Sequence, residues 1–567
     1  MKVFRPNRLS ISRGVWLAGA LLACALTAGC QNNKPAPPAV TGDDGCSPLD
    51  PIPRRIWRLS VNQYGNSVRD LLGLSAAPDL GTLGGQSTYA FFADETLTVD
   101  PQLAFNVSET LRTVLAGVDM RQLAACKSGE ADNACATRFA SSFGQRAFRR
   151  PLNSTETTAL MNVYAAGQPE SFETGISLVV QALLQSPSFM FRSELGKGAP
   201  NATATTTLDP YEVATQLAYT FLDSTPDAEL MAAAANGSLK NADGVTKQVD
   251  RLLMLPAVQA NLVRITLAWF NVNQLYAKQK DKSLLLPLNP TDATITDLTT
   301  SLQNDMLQSA SLFVDDIYWH GSGLITDLLT SDKMFVNQRM ATLLNLPFDP
   351  TSVGSPDDFV AVSGTDQGRS GMLTQPALLW AVSDIATTSI VHRGIEVHDN
   401  IICATPITFP SGLINSPDIV AALAARPTEI EKSDYRLFEN PVCTGCHGNI
   451  DPYGRVLEGF DPVGNVRTVA DGLPVDSSAD FSRAAPLSGT LDGPVALAQA
   501  ILADEQFINC AAQMISSYFI GRLIHNASTC EVQIQRKELE MSDGTITSLF
   551  HNVAAASFTR ARTGGAQ

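Results

Sequence analysis

The sequence predicts a mainly α, multi-domain helical protein, and three observations carry that prediction. Capped helix starts precede stretches of 3.6-residue apolar periodicity. Alternating strand patterns are scarce. Breaks rich in Pro, Gly, Ser and Thr divide a chain of 567 residues, long enough for several domains.

The elements follow in chain order. Lys2, Arg5, Arg8 and Arg13 precede a short apolar run over 15–26, too short for a membrane-spanning helix. It ends in Leu26-Thr27-Ala28-Gly29-Cys30, which resembles the bacterial lipobox. That resemblance implies cleavage before Cys30 and lipidation of its sulfur. Residues 1–29 are therefore expected to leave as a lipoprotein signal peptide. Residues 30–53, rich in Pro, Asn and Asp, are expected to form the lipidated cysteine and a flexible tether. Gln31 in place of Asp after Cys30 points to the outer membrane of a Gram-negative bacterium. Without the four basic residues of the leader, the formal charge of −16 becomes −20. Such a surface excludes nucleic acid as a partner and repels anionic lipid, so attachment falls to the lipid anchor.

Asn153-Ser154-Thr155-Glu156 is a capping box ahead of Leu160, Met161 and Tyr164. Asp209-Pro210-Tyr211-Glu212 is another, with Pro at the first helical position, ahead of Val213, Leu217 and Phe221. Segments 61–73, 108–125, 136–150, 172–194, 245–271, 300–316 and 502–526 also carry helical periodicity. Strand or irregular structure is expected only at 358–364 and 465–490. Composition shifts near 200–208, 347–370 and 404–440 place the boundaries. They give N-terminal helical domains over 54–205, a central helical domain over 206–346, a third domain over 347–490 and a C-terminal helical domain over 491–567.

The chemistry-bearing motif lies in the third domain. Cys443-Thr444-Gly445-Cys446-His447 is C-x-x-C-H, the attachment signature of c-type haem. Two thiols at that spacing each form a thioether to a vinyl group, and the histidine ligates the iron. A zinc site would need a second C-x-x-C or an H-x3-H pair, and the sequence has neither. A thioredoxin-like pair would need a βαβ context, which Pro441 and Gly448 do not suggest. One covalent haem c is therefore expected on Cys443 and Cys446, with His447 as proximal iron ligand. This makes the third domain an embedded cytochrome-c-like haem segment near the C-terminus. For the distal position Met514 ranks first and His392 second; His398, His525, Met372 and an open site are the alternatives. Of ten cysteines, Cys24 belongs to the leader. Six remain for disulfides: Cys46, Cys126, Cys135, Cys403, Cys510 and Cys530. Local spacing favours Cys126–Cys135 and Cys510–Cys530, and Cys46–Cys403 follows by elimination.

The ordered motifs carry a resemblance. They are Arg58 to Tyr64 with Val68 to Gly73, Phe143 to Leu152, Gly371 to Thr374, Val391 to Gly394, Cys443 to Gly454, Leu457 to Gly464 and Tyr518 to Arg522. In this series the chain resembles the exported cytochrome-c-like proteins of Planctomycetes and Myxobacteria, built from a fixed series of domains of unknown function. The resemblance covers nearly all of 50–560 and implies one c-type haem in the penultimate domain. It supplies no reaction. Phe143 to Pro151 reads as a helix end whose arginines cap carbonyls or pair with acids, and Asp451-Pro452 and Asp461-Pro462 as turn punctuation. Tyr453, Arg455 and Arg467 are candidate contacts for the haem propionates. Asp451, Glu458 and Asp461 read as solvated or capping carboxylates in preference to an acid–base set.

The leading functional expectation is a membrane-anchored electron-transfer lipoprotein working with a redox partner protein. Two others stay open: a haem oxidoreductase with its own substrate site, and a surface assembly or polymer-binding protein with a secondary haem. No G-x-G-x-x-G or P-loop suggests a nucleotide.

Overall fold

The computed structural model describes residues 46, 49–50, 52–79, 97–197, 205–407, 416–470, 472–526 and 528–564. The expected leader, Cys30 and most of the tether lie outside them. The architecture is mainly helical, as the periodicity predicts. Strand structure among the described residues is limited to five two-stranded antiparallel ribbons. Three of them, pairing Lys333–Val336 with Val360–Ser363, Val469–Ala470 with Leu473–Pro474, and Ser478–Asp480 with Thr490–Asp492, fall in or beside the two regions where alternation was expected.

Two hydrophobic cores organise the helices. The first runs from Leu59 to Met190 and is built by Val61–Leu72, Pro101–Leu115, Asp132–Phe148, Ser154–Gly167 and Phe172–Leu184. Local chemistry sets their ends. Ser60 and Gln63 form a capping box, and Gly73 stops the first helix in the left-handed conformation, at φ 69°. Asn153 and Glu156 form the expected second box. The second core takes in Ile52 and residues from Leu208 to Ala554, and draws on all three of the segments 206–346, 347–490 and 491–567. It begins with Pro210–Phe221, capped by Asp209 and Glu212 as expected. That helix is buried on every side, so its Tyr219 reaches into the first core and joins the two.

No single described helix is long and apolar enough to cross a membrane. One bent pair, Ala242–Leu253 with Pro256–Trp269, passes such a test together. Its Val245, Val249, Leu252, Val258 and Leu262 are fully enclosed by the second core.

The chain ends are tied together by a buried charge cluster. Arg55–Arg58 pairs with Phe191–Glu194, and Thr206–Thr207 pairs with Ala561–Arg562. Glu194 Oε2 accepts from Arg55 Nε at 2.9 Å and from Arg562 Nη2 at 2.6 Å. Burial by itself would raise the Glu194 carboxyl, but Arg55, Arg562 and Arg192 together hold it at about 2. Trp57 lies between two guanidinium groups, with Arg55 4.2 Å and Arg192 3.4 Å from its ring centre.

The disulfides correct two expected pairings. Cys126–Cys135 closes across its short loop as expected. Two further bonds are Cys46–Cys530 and Cys403–Cys510, in place of Cys510–Cys530 and Cys46–Cys403. Cys510, in helix Gln506–Ile520, packs against the segment after Ile401, with its sulfur 3.3 Å from Asn400 O. Cys530 starts the next helix and meets the N-terminal segment instead, where Leu49 N donates to Glu531 Oε2 at 2.8 Å. Pairing by shortest spacing fails here because tertiary packing, not chain distance, brings these sulfurs together.

Three α-helices run on into π-helical turns, at Asp316–His320, Glu396–Ile401 and Tyr435–Glu439. Such turns re-aim side chains and are often found at functional sites. The second of them buries Glu396, whose Oε2 accepts from Asn400 Nδ2 at 3.0 Å and Asn271 Nδ2 at 3.2 Å. No cation among the described residues balances it. Burial is the main cause raising its carboxyl to about 8; the two amides oppose that rise and Asp399 adds to it. The folded chain therefore holds a proton on Glu396 that the unfolded chain, with an ordinary value of 4.5, releases. Stability should be full below about pH 4.5 and fall as pH rises towards about 8, by up to ~1.4 kcal/mol per pH unit. Glu396→Gln should remove this dependence. Thermal unfolding across pH 4.5 to 8.5 should show the variant gaining on the parent only as pH rises; parallel curves would refute it.

Candidate functional site

Helix Pro441–Arg455 carries the C-x-x-C-H motif, and its start is locally encoded. Asn440 accepts from Val442 N at 3.0 Å, and Pro441 occupies the first helical position, where no N–H is needed. The Thr444 hydroxyl lies 3.1–3.2 Å from the carbonyls of Arg436, Leu437 and Asn440, fastening the helix to the preceding π turn. At 100° per residue, Cys443, Cys446, His447, Ile450 and Gly454 share one broad face. Cys443 and Cys446 are 8% and 5% exposed. Cys443 carries a free thiol, raised by burial against the opposing charge of Arg436. Cys446 is disulfide-bonded.

The same face crosses helix Ile390–Ile395 at backbone contact. A Cβ on Gly454 would stand 1.9 Å from Ile390 O, and one on Gly394 would stand 2.2 Å from Ile450 O. Only glycine at both positions permits this approach. Arg393, next to the crossing, is fully buried and locks it. Its Nη1 donates to Leu457 O at 2.7 Å, Phe460 O at 2.9 Å and Glu458 Oε1 at 3.1 Å, and its Nη2 to Asp461 O at 3.0 Å. Thus the motifs Val391 to Gly394 and Leu457 to Gly464 are two halves of one joint.

Several expected roles are corrected by this joint. Glu458 is not solvated: it is 2% exposed, and its Oε2 accepts from Arg467 Nη2 at 2.7 Å and Thr388 Oγ1 at 2.8 Å. Arg467 is therefore spent on Glu458 and not directed at a propionate. Tyr453 is buried edge-on to Phe481, with its hydroxyl donating to Ala484 O at 3.3 Å. Arg455 pairs with Asp434 and donates to Ser478 O at 3.1 Å, but it also lines a pocket of about 230 Å³ with Gly448, Pro452, Leu437, Phe438 and Arg483. Asp461 caps a turn, accepting from Val463 N at 2.9 Å and Asn465 N at 2.8 Å, as expected.

Asp451 is the largest departure. It is fully buried, one helical turn beyond the histidine, and its Oδ1 lies 2.8 Å from His447 Nδ1. Its Oδ2 accepts from Arg436 Nε at 2.8 Å and Ser433 Oγ at 2.9 Å. Burial would raise this carboxyl; the bond from His447 and the charge of Arg436 outweigh it and hold the group below the ordinary aspartate value. Arg436 comes from the π turn Tyr435–Glu439 and Ser433 from helix Glu429–Asp434. Arg436 Nη2 is buried with no hydrogen-bond partner among the described residues. Sequence reasoning missed both residues. The i, i+4 spacing of His447 and Asp451 was a readable signal; the approach of Arg436 depends on the π turn and had none.

The distal candidates are scattered. Met514 and Met372 are buried in the second core. His392 is exposed on the crossing helix, and His525 is exposed beyond helix Gln506–Ile520. His398 is buried, bonded to Asp399 at 2.6 Å, and stacked edge-on to Tyr453 with centroids 6.4 Å apart.

Residues 135–194 match the model PSD5, described as a protein of unknown function (DUF1595). Residues 208–346 match PSD4, a protein of unknown function (DUF1592). Residues 369–470 match PSCyt3, a protein of unknown function (DUF1588). The chain contains three such domains in series. PSD5 falls within the first core, PSD4 opens the second, and PSCyt3 contains both the Gly394–Gly454 crossing and Cys443, Cys446 and His447. The series matches the domain set of a cytochrome-c-like multi-domain family. No curated protein and no solved structure matches the chain.

The crossing yields a direct test. Gly454→Ala would force a methyl group into the Ile390 carbonyl, and neither helix can withdraw without breaking the Arg393 joint. The variant should lose at least ~3 kcal/mol, the upper range for overpacking. Gly459→Ala, where a Cβ meets nothing within 4 Å, should change little. Urea midpoints measured on both would decide; equal midpoints would show that the crossing tolerates separation.

Proposed function

We propose that this protein is an envelope-anchored c-type cytochrome that passes electrons to or from a partner oxidoreductase. The observation that carries the reading is the histidine of a complete C-x-x-C-H whose Nδ1 is engaged by a buried carboxylate. That bond fixes the ring and leaves Nε2 as the nitrogen to bind a metal, the arrangement found around metal-ligating histidines. Cys443 and Cys446 stand one turn apart on the helix that carries His447, as two thioether bonds require. The buried, unpartnered Arg436 Nη2 beside them suits a propionate. Haem c would supply a reversible one-electron couple. Cys443 and Cys446 would hold it, His447 would ligate it, and Asp451, Arg436 and Ser433 would orient His447. Attachment needs both sulfurs as thiols, so a disulfide at Cys446 and haem c exclude one another in the mature protein.

Expressed with haem-attachment machinery, the chain should retain one haem after denaturing electrophoresis, and Cys446→Ser should lose most of it. Failure to bind carbon monoxide or peroxide would mean two filled axial positions and favour electron transfer, whereas ready binding would favour an oxidoreductase. A mature protein without covalent haem, and with Cys446 in a disulfide by peptide mapping, would overturn the assignment.

The anchor belongs to the same reading. Lipid on Cys30 would hold the protein at the membrane, in the outer membrane by the Gln31 rule, with no need of a spanning helix. Cys30→Ser should move the protein from the membrane fraction to the soluble fraction. Retention after a high-salt wash would reject lipid anchoring.

A further inference from the structure

We propose that Asp451 is a positioning residue that lowers the reduction potential of the iron bound by His447. The inference rests on the haem reading above and adds to it a direction for the electronics. Three observations carry it. The carboxylate is fully buried and 2.8 Å from Nδ1, so it accepts the imidazole proton in a medium where such a bond is strong. The bond lies within one helical turn, between residues four apart, so the backbone itself holds its geometry. The other oxygen is fixed by Arg436 Nε and Ser433 Oγ, so the carboxylate cannot rotate away from the ring.

A carboxylate is a stronger acceptor than a backbone carbonyl. It draws the Nδ1 proton and leaves more electron density on Nε2. A more electron-rich imidazole stabilises ferric over ferrous iron, and the potential falls. Arg436 and Ser433 restrain the effect, because each hydrogen bond they donate to Oδ2 withdraws density from the carboxylate. The potential is thus set by a balance between one acceptor bond to His447 and two donor bonds behind it. The chemistry fits a centre that gives up electrons readily to a partner of higher potential.

The test is a redox titration of the full-length, haem-loaded protein beside two variants. Asp451→Asn keeps the shape but makes the group a weak acceptor. It should shift the ferric-to-ferrous preference about tenfold towards ferrous, taking the lower end of the effect that loss of such an outer partner has on metal affinity. For a one-electron couple that is a rise of ~59 mV. Ser433→Ala leaves the net charge unchanged and removes one donor from Oδ2. It should lower the potential, by less than Asp451→Asn raises it, whereas a purely Coulombic effect predicts no change. Ser433→Ala also decides the matter if Asp451→Asn fails to fold. In the ferrous state, diamagnetic as it stands if both axial positions are filled and made so by carbon monoxide if one is open, the proton on His447 Nδ1 should move upfield in Asp451→Asn and downfield in Ser433→Ala. Variants that keep their haem with unchanged potentials would sink this inference and leave the cytochrome reading intact. A parent protein that carries no haem would sink the reading itself.

Discussion

The close crossing of Ile390–Ile395 over Pro441–Arg455 is the constraint on which the site depends. Two glycines let the backbones touch, and that contact fixes where the face bearing Cys443 and His447 can point. A glycine in a helix costs roughly 0.5–1 kcal/mol relative to alanine. The cost is accepted here because nothing larger fits between two carbonyl-bearing backbones. Arg393 then converts proximity into rigidity. It reaches three backbone carbonyls of the turn after the helix, and its charge is met by Glu458. The joint is thus steric at its centre and electrostatic at its edge.

Buried charge recurs in this protein in a consistent form. Glu458 lies between Arg393 and Arg467, Glu194 between Arg55 and Arg562, and Asp451 between Arg436 and His447. Glu458 and Glu194 join segments distant in sequence, and Asp451 joins neighbouring elements within 18 residues. Removing one partner from such a group typically costs 3–5 kcal/mol, although an apolar replacement of the whole set can be neutral. Their value is therefore in specifying which segments meet. Glu194 brings the two chain ends to one place, and Asp451 brings the π turn to the histidine. Glu396 is the exception, since its partners are amides and its charge is not compensated; it stays protonated instead.

The two cores explain why the C-x-x-C-H motif occupies so small a part of so long a chain. The PSCyt3 segment does not bury its own apolar surface. Tyr453, Val456, Leu457 and Val463 lie in the same core as Trp269, Met306 and Phe519, from segments on either side. The flanking helices are the walls against which the motif helix is held. The Cys403–Cys510 bond crosses the same core and ties the segment that follows the crossing helix to the C-terminal helices.

What the sequence determined by itself is local. Helix class, both capping boxes, the sparse strands and the Cys126–Cys135 loop were readable because each rests on interactions within a few residues. The C-x-x-C-H spacing was readable for the same reason, and so was the Asp461 turn. The tertiary structure decided what lies between distant residues. It paired Cys403 with Cys510 and Cys46 with Cys530, turned Glu458 from a surface acid into the centre of a joint, and made Tyr453 a core side chain. It also gave Asp451 its partners, Arg436 and Ser433. None of these follows from periodicity or spacing: the joint at Glu458 rests on two helices meeting at glycines 60 residues apart in the chain, Gly394 and Gly454, and the partners of Asp451 on a π turn whose side-chain directions no local pattern records.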